Sequence, residues 1–185
     1  MNSSTTGGLI VAGSYVPKTT AQLRSLRERR GSKLHVIELP VENMIDSAAG
    51  EGAVMNAVIA EANQRLKSSQ DVLIMTSRKL VTGGDAISSL NIGSIVAATI
   101  VKVVRSIETR PRYVIAKGGI TSSDIATKAL NMRRAIVIGQ AAPGVPLWRC
   151  EEETSKHRGV PYVVFPGNVG EEDTLAELVE RWAFP

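Results

Sequence analysis

Short apolar runs separated by longer stretches of mixed character recur along this chain, and their spacing organises it. Leu9–Ala12, Leu34–Leu39, Val72–Met75, Tyr113–Ala116, Ala135–Gly139 and Val160–Phe165 are four to six residues each, bounded by glycine, proline or polar residues. That is the pattern of buried strands. Val72–Met75 is apolar throughout and has no wet face, as a parallel strand covered on both sides requires. Helical patterns lie between the runs. One runs from Pro17, suited to a first turn, to about Arg30. Another runs from about Ala48 to Lys67, with Val54, Val58, Ala62 and Leu66 on one face. A third, Ile92 to about Ile107, is so uniformly apolar that it belongs at the centre, and a last one ends near Trp182. Strand, loop and helix alternate about six times. This predicts an α/β fold of three layers, α-β-α, with a mostly parallel sheet.

The polar residues of greatest interest follow the strands. Tyr113–Ala116 leads into Lys117-Gly118-Gly119-Ile120-Thr121-Ser122-Ser123-Asp124, after which Ile125, Ala129 and Met132 recur at helical spacing. Thr121 and the serines are N-cap types, so the stretch reads strand, glycine turn, helix. Glycines allow the backbone to approach a phosphate, and the first N–H groups of a helix lack internal partners. Lys117 places a cation beside them. The same residues also fit a tight turn that binds nothing, with Thr121 as its cap. Two further strands end in comparable loops, Gly13-Ser14 and Pro166-Gly167-Asn168. If the three strands are neighbours, their loops meet at one edge of the sheet, where open α/β sheets bind ligands. The exit of Val72–Met75 carries hydroxyls and the cations Arg78 and Lys79. Gln140–Pro146 reads as a loop stiffened by two prolines.

Several chemistries are excluded or weak. No Gly-x-Gly-x-x-Gly follows a strand, and Gly13–Thr20 fails as a P-loop because Pro17 stands where a glycine should donate its N–H. Cys150 and His157 flank three glutamates without a second Cys or His nearby, so no metal site is assigned. Glu171, Glu172 and Asp173 suit a helix's first turn electrostatically. The chain has 185 residues and a net charge of +4, with one cysteine and 4% aromatics. A single cysteine is compatible with a reducing compartment, hence the cytoplasm. Five Arg or Lys residues cluster from Arg24 to Lys33. They could mark a nucleic-acid surface, but so few aromatics offer no stacking platform, and a solvated helix face fits them as well. No apolar run is long enough for a membrane span.

Four blocks in order then carry a resemblance: Val11–Leu23, Lys117–Asp124, Ile138–Leu147 and Phe165–Gly170. Together they resemble the carboxy-terminal, nucleotide-binding domain of the four-carbon acid sugar kinases, which phosphorylate acids such as threonate and erythronate with ATP. The resemblance implies ATP or ADP with Mg²⁺ as ligand. It implies nucleotide contacts from Ser14, Gly118, Gly119, Ile120, Thr121 and Gly167, with Asn168 in the same loop and Lys117 and Arg78 offsetting phosphate charge. Some family members carry an acidic residue where this chain has Ile120, so that position contributes backbone. The family's sugar-binding domain is not recognisable in these residues. Residues 1–8 are therefore expected to be a flexible leader or linker remnant, residues 9–185 the nucleotide-binding domain, and the acceptor site and catalytic base to lie elsewhere. A non-catalytic nucleotide-sensing or interaction module is the alternative, and a homo-oligomer is open.

Overall fold

The computed structural model describes residues 6–13, 15–40, 51–77 and 86–183. In chain order the elements are β1 (Leu9–Ala12), α1 (Pro17–Arg30), β2 (Leu34–Leu39), α2 (Glu51–Lys67), β3 (Asp71–Thr76) and α3 (Ala86–Ser106). Then come β4 (Val114–Lys117), α4 (Gly119–Asp124) continuing into a π-helical turn (Ile125–Ala129), β5 (Ile136–Ala142), β6 (Val145–Arg149), β7 (Pro161–Phe165) and α5 (Thr174–Ala183). They build one seven-stranded sheet in the order β2-β3-β1-β4-β7-β6-β5. The first five strands of that order are parallel, and β6 and β5 add an antiparallel hairpin at one side. The mostly parallel, three-layer fold anticipated from the alternation is the one the chain adopts.

Side chains alternate across a strand, and here both faces are apolar. Leu9, Val11, Val72, Ile74, Val114 and Ala116 face a core closed by α2, α3 and the α4 segment. Ile10, Ala12, Leu73, Met75 and Ile115 face a second core closed by α1 and α5. Ile10, Val11, Leu73 and Ile74 are 0% exposed, each a transfer gain of about 1.5–3 kcal/mol. The apolar helix α3, expected at the centre from its composition, instead covers one face of the sheet: it supplies Val96, Ile100, Val103 and Val104 to the first core, while Leu90 and Ile95 are 71% and 38% exposed. Among the described residues, no helix is long and apolar enough to cross a membrane.

Three further expectations are corrected. The run at Ala135–Gly139 is not a buried strand. β5 is the outermost strand, and Ile136, Val137 and Ile138 are 58%, 66% and 49% exposed. Its apolar composition matched an interior strand, but its only described neighbour in the sheet is β6. Gln140–Pro146 is not a loop: β5 and β6 run through most of it and turn at Gly144, whose φ of 72° is left-handed. Thr121 does not cap α4. The helix starts at Gly119 with Gly118 at the cap, at φ 116°, and no side chain caps it. In addition, Gly7 and Gly8 are packed into the domain. Gly7 donates to the Leu66 carbonyl at 2.9 Å, and a Cβ on Gly8 would lie 2.0 Å from the Tyr113 ring.

Candidate functional site

The chain leaves β1 toward β3 and β2 but leaves β4 toward β7, so β1 and β4 flank the point where the sheet's winding reverses. The helices that follow them, α1 and α4, lie on opposite faces. A crevice therefore opens beyond the carboxyl ends of β1 and β4. It is a cleft of about 1070 Å³, lined by Gly13, Tyr15, Val16, Gly118, Gly119, Ile120, Thr121, Gly167 and Asn168, with one wall formed by α3. The three glycine-bearing loops meet there because β1, β4 and β7 are adjacent. Of the residues singled out in the sequence, Gly118, Gly119, Ile120, Thr121, Gly167 and Asn168 line the cleft. Lys117 lies beneath them. Ser14 and Arg78 fall outside the described residues.

The geometry of the turn rests on a few bonds. Gly118 donates its N–H to the Phe165 carbonyl at 2.8 Å, tying the end of β4 to that of β7. Ser122 Oγ donates to the Ala116 carbonyl at 2.7 Å, and the buried Tyr162 hydroxyl donates to the Ser122 carbonyl at 2.6 Å. The first backbone bond of α4 runs from Ser122 N–H to Gly118 O. Ahead of it, the N–H groups of Gly119, Ile120 and Thr121 have no partner among the described residues, nor do those of Gly167 and Asn168. Buried or cleft-lining N–H groups are rarely left unmatched unless water or a ligand takes them. Gly119 is also free of any packing reason to be glycine: a Cβ there would meet nothing within 4 Å. The floor of the cleft is thus a set of donors with open space above, which suits a polyanion such as a nucleotide's phosphates. Gly13 differs, since a Cβ on it would come within 2.9 Å of Ile100 Cδ1 and 3.0 Å of Thr121 Oγ1.

Lys117 is 0% exposed at the last position of β4. Its ammonium donates to the carbonyls of Pro166 at 2.7 Å and Gly167 at 3.2 Å and sits 4.1 Å from the centroid of the Phe165 ring. Burial, reinforced by the charge of Lys18, pushes this ammonium down to about 8. The Gly167 loop is also held from α1: Thr19 Oγ1 donates to Gly167 O at 3.2 Å, and Gln22 Nε2 to Val169 O and Glu171 O at 3.0 and 2.8 Å.

The sequence did not reveal the wall. Ile92, Val96 and Ile100 of α3 line the cleft, as do Lys102, Asp124 and Lys128 near its rim. Asp124 and Lys128 pair at 2.7 Å. The apolar composition of α3 was a signal, but which of its residues face the crevice depends on strand order. Other candidates are engaged elsewhere. Glu172 pairs with Arg24, and Asp173 accepts from Ser25, so two of the three acids before α5 fasten it to α1. Arg29 pairs with Glu180 and Arg30 with Asp71, so Arg24, Arg29 and Arg30 of the basic cluster all have acidic partners within the fold. His157 lies 3.2 Å from the Ile107 carbonyl and is pushed down to about 4, by burial and then by Lys156. Among the described residues, no three His, Cys, Asp or Glu side chains cluster to hold a metal.

Known proteins share this architecture. Residues 9–175 match the family described as a nucleotide-binding C-terminal domain. A 3-oxo-isoapionate kinase from Paraburkholderia graminis is 27% identical over 175 residues, covering 87% of this chain and 36% of that protein. A domain of unknown function from Bordetella bronchiseptica, solved as a domain-swapped dimer with bound citrate, has a TM-score of 0.77 at 19% identity. That match covers 96% of this chain and 41% of the other. A Haemophilus influenzae protein has a TM-score of 0.68 at 21% identity, over 96% of this chain and 40% of its own. The chain spans little more than a third of the length of the curated kinase it matches.

Proposed function

Because the chain belongs to the family of nucleotide-binding C-terminal domains, we propose that its cleft holds ATP or ADP, with Mg²⁺ on the phosphates, for phosphoryl transfer to a small acid sugar of the threonate or erythronate type. The observation that carries this reading is a group of five N–H groups, on Gly119, Ile120, Thr121, Gly167 and Asn168, that have no partner among the described residues and belong to residues lining one cleft. Backbone donors fixed before the ligand arrives stabilise spread phosphate charge without reorganising. The apolar wall of α3 takes the base. Gly118 supplies the turn, the Ser14 hydroxyl contacts the nucleotide, Arg78 offsets phosphate charge, and Lys117 adds positive potential from beneath the Gly167 loop.

The acid sugar and the base that deprotonates it belong to an amino-terminal domain beyond these residues, with residues 1–8 the joint to it and residues 9–185 the nucleotide half. The match covering only 36% of the kinase relative supports that division. Alone, this half binds nucleotide and transfers phosphate poorly, because transfer depends on positioning both reactants. The protein acts in the cytoplasm, without nucleic acid or membrane. Homo-oligomerisation is supported by the exposed Ile136–Ile138 ribbon and by the dimeric Bordetella neighbour.

Calorimetric titration of the chain with ADP and ATP, with and without Mg²⁺, tests the nucleotide site. Affinity roughly a hundredfold weaker in Gly119→Val is the expected result. Equal affinity in the two proteins would remove the phosphates from this turn.

A further inference from the structure

Lys117 was a natural choice for a direct phosphate contact, and its surroundings argue for a different task. The side chain is fully buried, and its ammonium points at two consecutive carbonyls, those of Pro166 and Gly167, with the Phe165 ring behind it. A trans peptide holds its C=O and the following N–H in one plane and pointing in opposite directions, and no peptide bond among the described residues is cis. The Pro166 carbonyl shares its plane with the Gly167 N–H, and the Gly167 carbonyl shares its plane with the Asn168 N–H. Drawing both carbonyls onto the ammonium therefore turns both N–H groups away from it. Both of those residues line the cleft, and neither N–H has a partner among the described residues.

We infer that Lys117 is a positioning residue for the nucleotide site, a buried clip that aims the Gly167 and Asn168 amides at the phosphates and does not itself touch the ligand. This rests on the nucleotide reading above for its purpose, but the clip itself is a property of the free protein. It explains why a lysine closes a strand whose other residues are apolar and fully buried. A charged donor bonds carbonyls about twice as strongly as a neutral one, and holding a loop in its binding geometry raises affinity by removing the cost of ordering it. Thr19 bonds the same Gly167 carbonyl from the opposite element, so the loop is held from two sides.

The test compares Lys117→Met, which fills the space without a donor, and Lys117→Gln, which keeps a neutral one. In the nucleotide-free proteins, backbone ¹⁵N relaxation and carbonyl ¹³C shifts read the loop, and ADP titration reads the site. In Lys117→Met, the Pro166 and Gly167 carbonyl shifts should move, the order parameters of Gly167 and Asn168 should fall, and ADP should bind roughly tenfold more weakly. Lys117→Gln should recover part of both, and it carries the comparison if the methionine variant fails to fold. An unchanged loop with weakened ADP binding would make Lys117 a direct ligand and overturn the inference. A loosened loop with unchanged affinity would overturn the positioning role. If the unsubstituted protein binds no ADP, the nucleotide reading falls and the positioning role with it, while the relaxation data still judge the clip.

Discussion

At the amino ends of β3 and β4, the carboxylate of Asp71 accepts from the Gly8 N–H at 2.8 Å and the Arg30 guanidinium at 3.0 Å, with Arg112 at 3.6 Å. Asp71 itself is 2% exposed. At the carboxyl ends of β4 and β7, by contrast, five backbone N–H groups on cleft-lining residues have no partner among the described residues. One end of the sheet is closed around a buried carboxylate paired with guanidinium groups and a backbone N–H, and the other keeps backbone donors without a described partner. The difference teaches where to look for work in an α/β fold: buried charge paired within the protein holds the fold, and donors kept in place but unmatched await a ligand. Lys117 belongs to the second end yet is built like the first, since its buried charge is spent on protein carbonyls.

The contrast can be broken at either end. The largest effect is expected from Asp71→Ala, which strands the buried Arg30 charge and should cost about 3–5 kcal/mol in urea denaturation. The protein that remains folded should bind ADP as before, because the change lies at the closed end. A joint loss of affinity and stability would deny that the two ends are separable. Gly119→Val should do the reverse. Its Cβ enters open space, so stability should move by less than about 1 kcal/mol while ADP affinity drops roughly a hundredfold.

A smaller effect concerns pH. Lys117 holds its proton less tightly when folded, down to about 8 from 10.5, because of burial and then Lys18. Between those values the unfolded chain binds more protons than the folded one, so this residue makes stability rise with pH across that window. Urea midpoints of the unsubstituted protein minus those of Lys117→Met should climb from pH 8 toward 10.5, and a flat difference would contradict the burial of a charged lysine. Least of all, Val137→Lys on the outer ribbon should change stability by no more than about 0.5 kcal/mol, since Val137 is 66% exposed. Sedimentation of the same variant would report whether that ribbon joins copies of the chain.

The parallel core was legible because its strands are apolar on both faces: β1 and β2 begin and end where the runs Leu9–Ala12 and Leu34–Leu39 do. The meeting of three glycine loops was legible as a condition on strand order, which the sheet meets. What stayed hidden depended on neighbours. Ile136–Ile138 has the composition of an interior strand, but among the described residues β6 is its one neighbour in the sheet and its side chains are left exposed. The start of α4 at Gly119 was masked by cap-type residues at Thr121, which lie inside the first turn. The environment of Lys117 could not be read locally either, because its carbonyl partners lie 49 and 50 residues away. The contribution of α3 to the cleft was invisible for the same reason.

The most direct measurement is an amide ¹⁵N–¹H titration of the chain with ADP. The largest shifts should fall on Gly119, Ile120, Thr121, Gly167 and Asn168, leaving Gly8 and its neighbours around Asp71 unmoved. Saturable binding that bypasses those five amides would contradict the account.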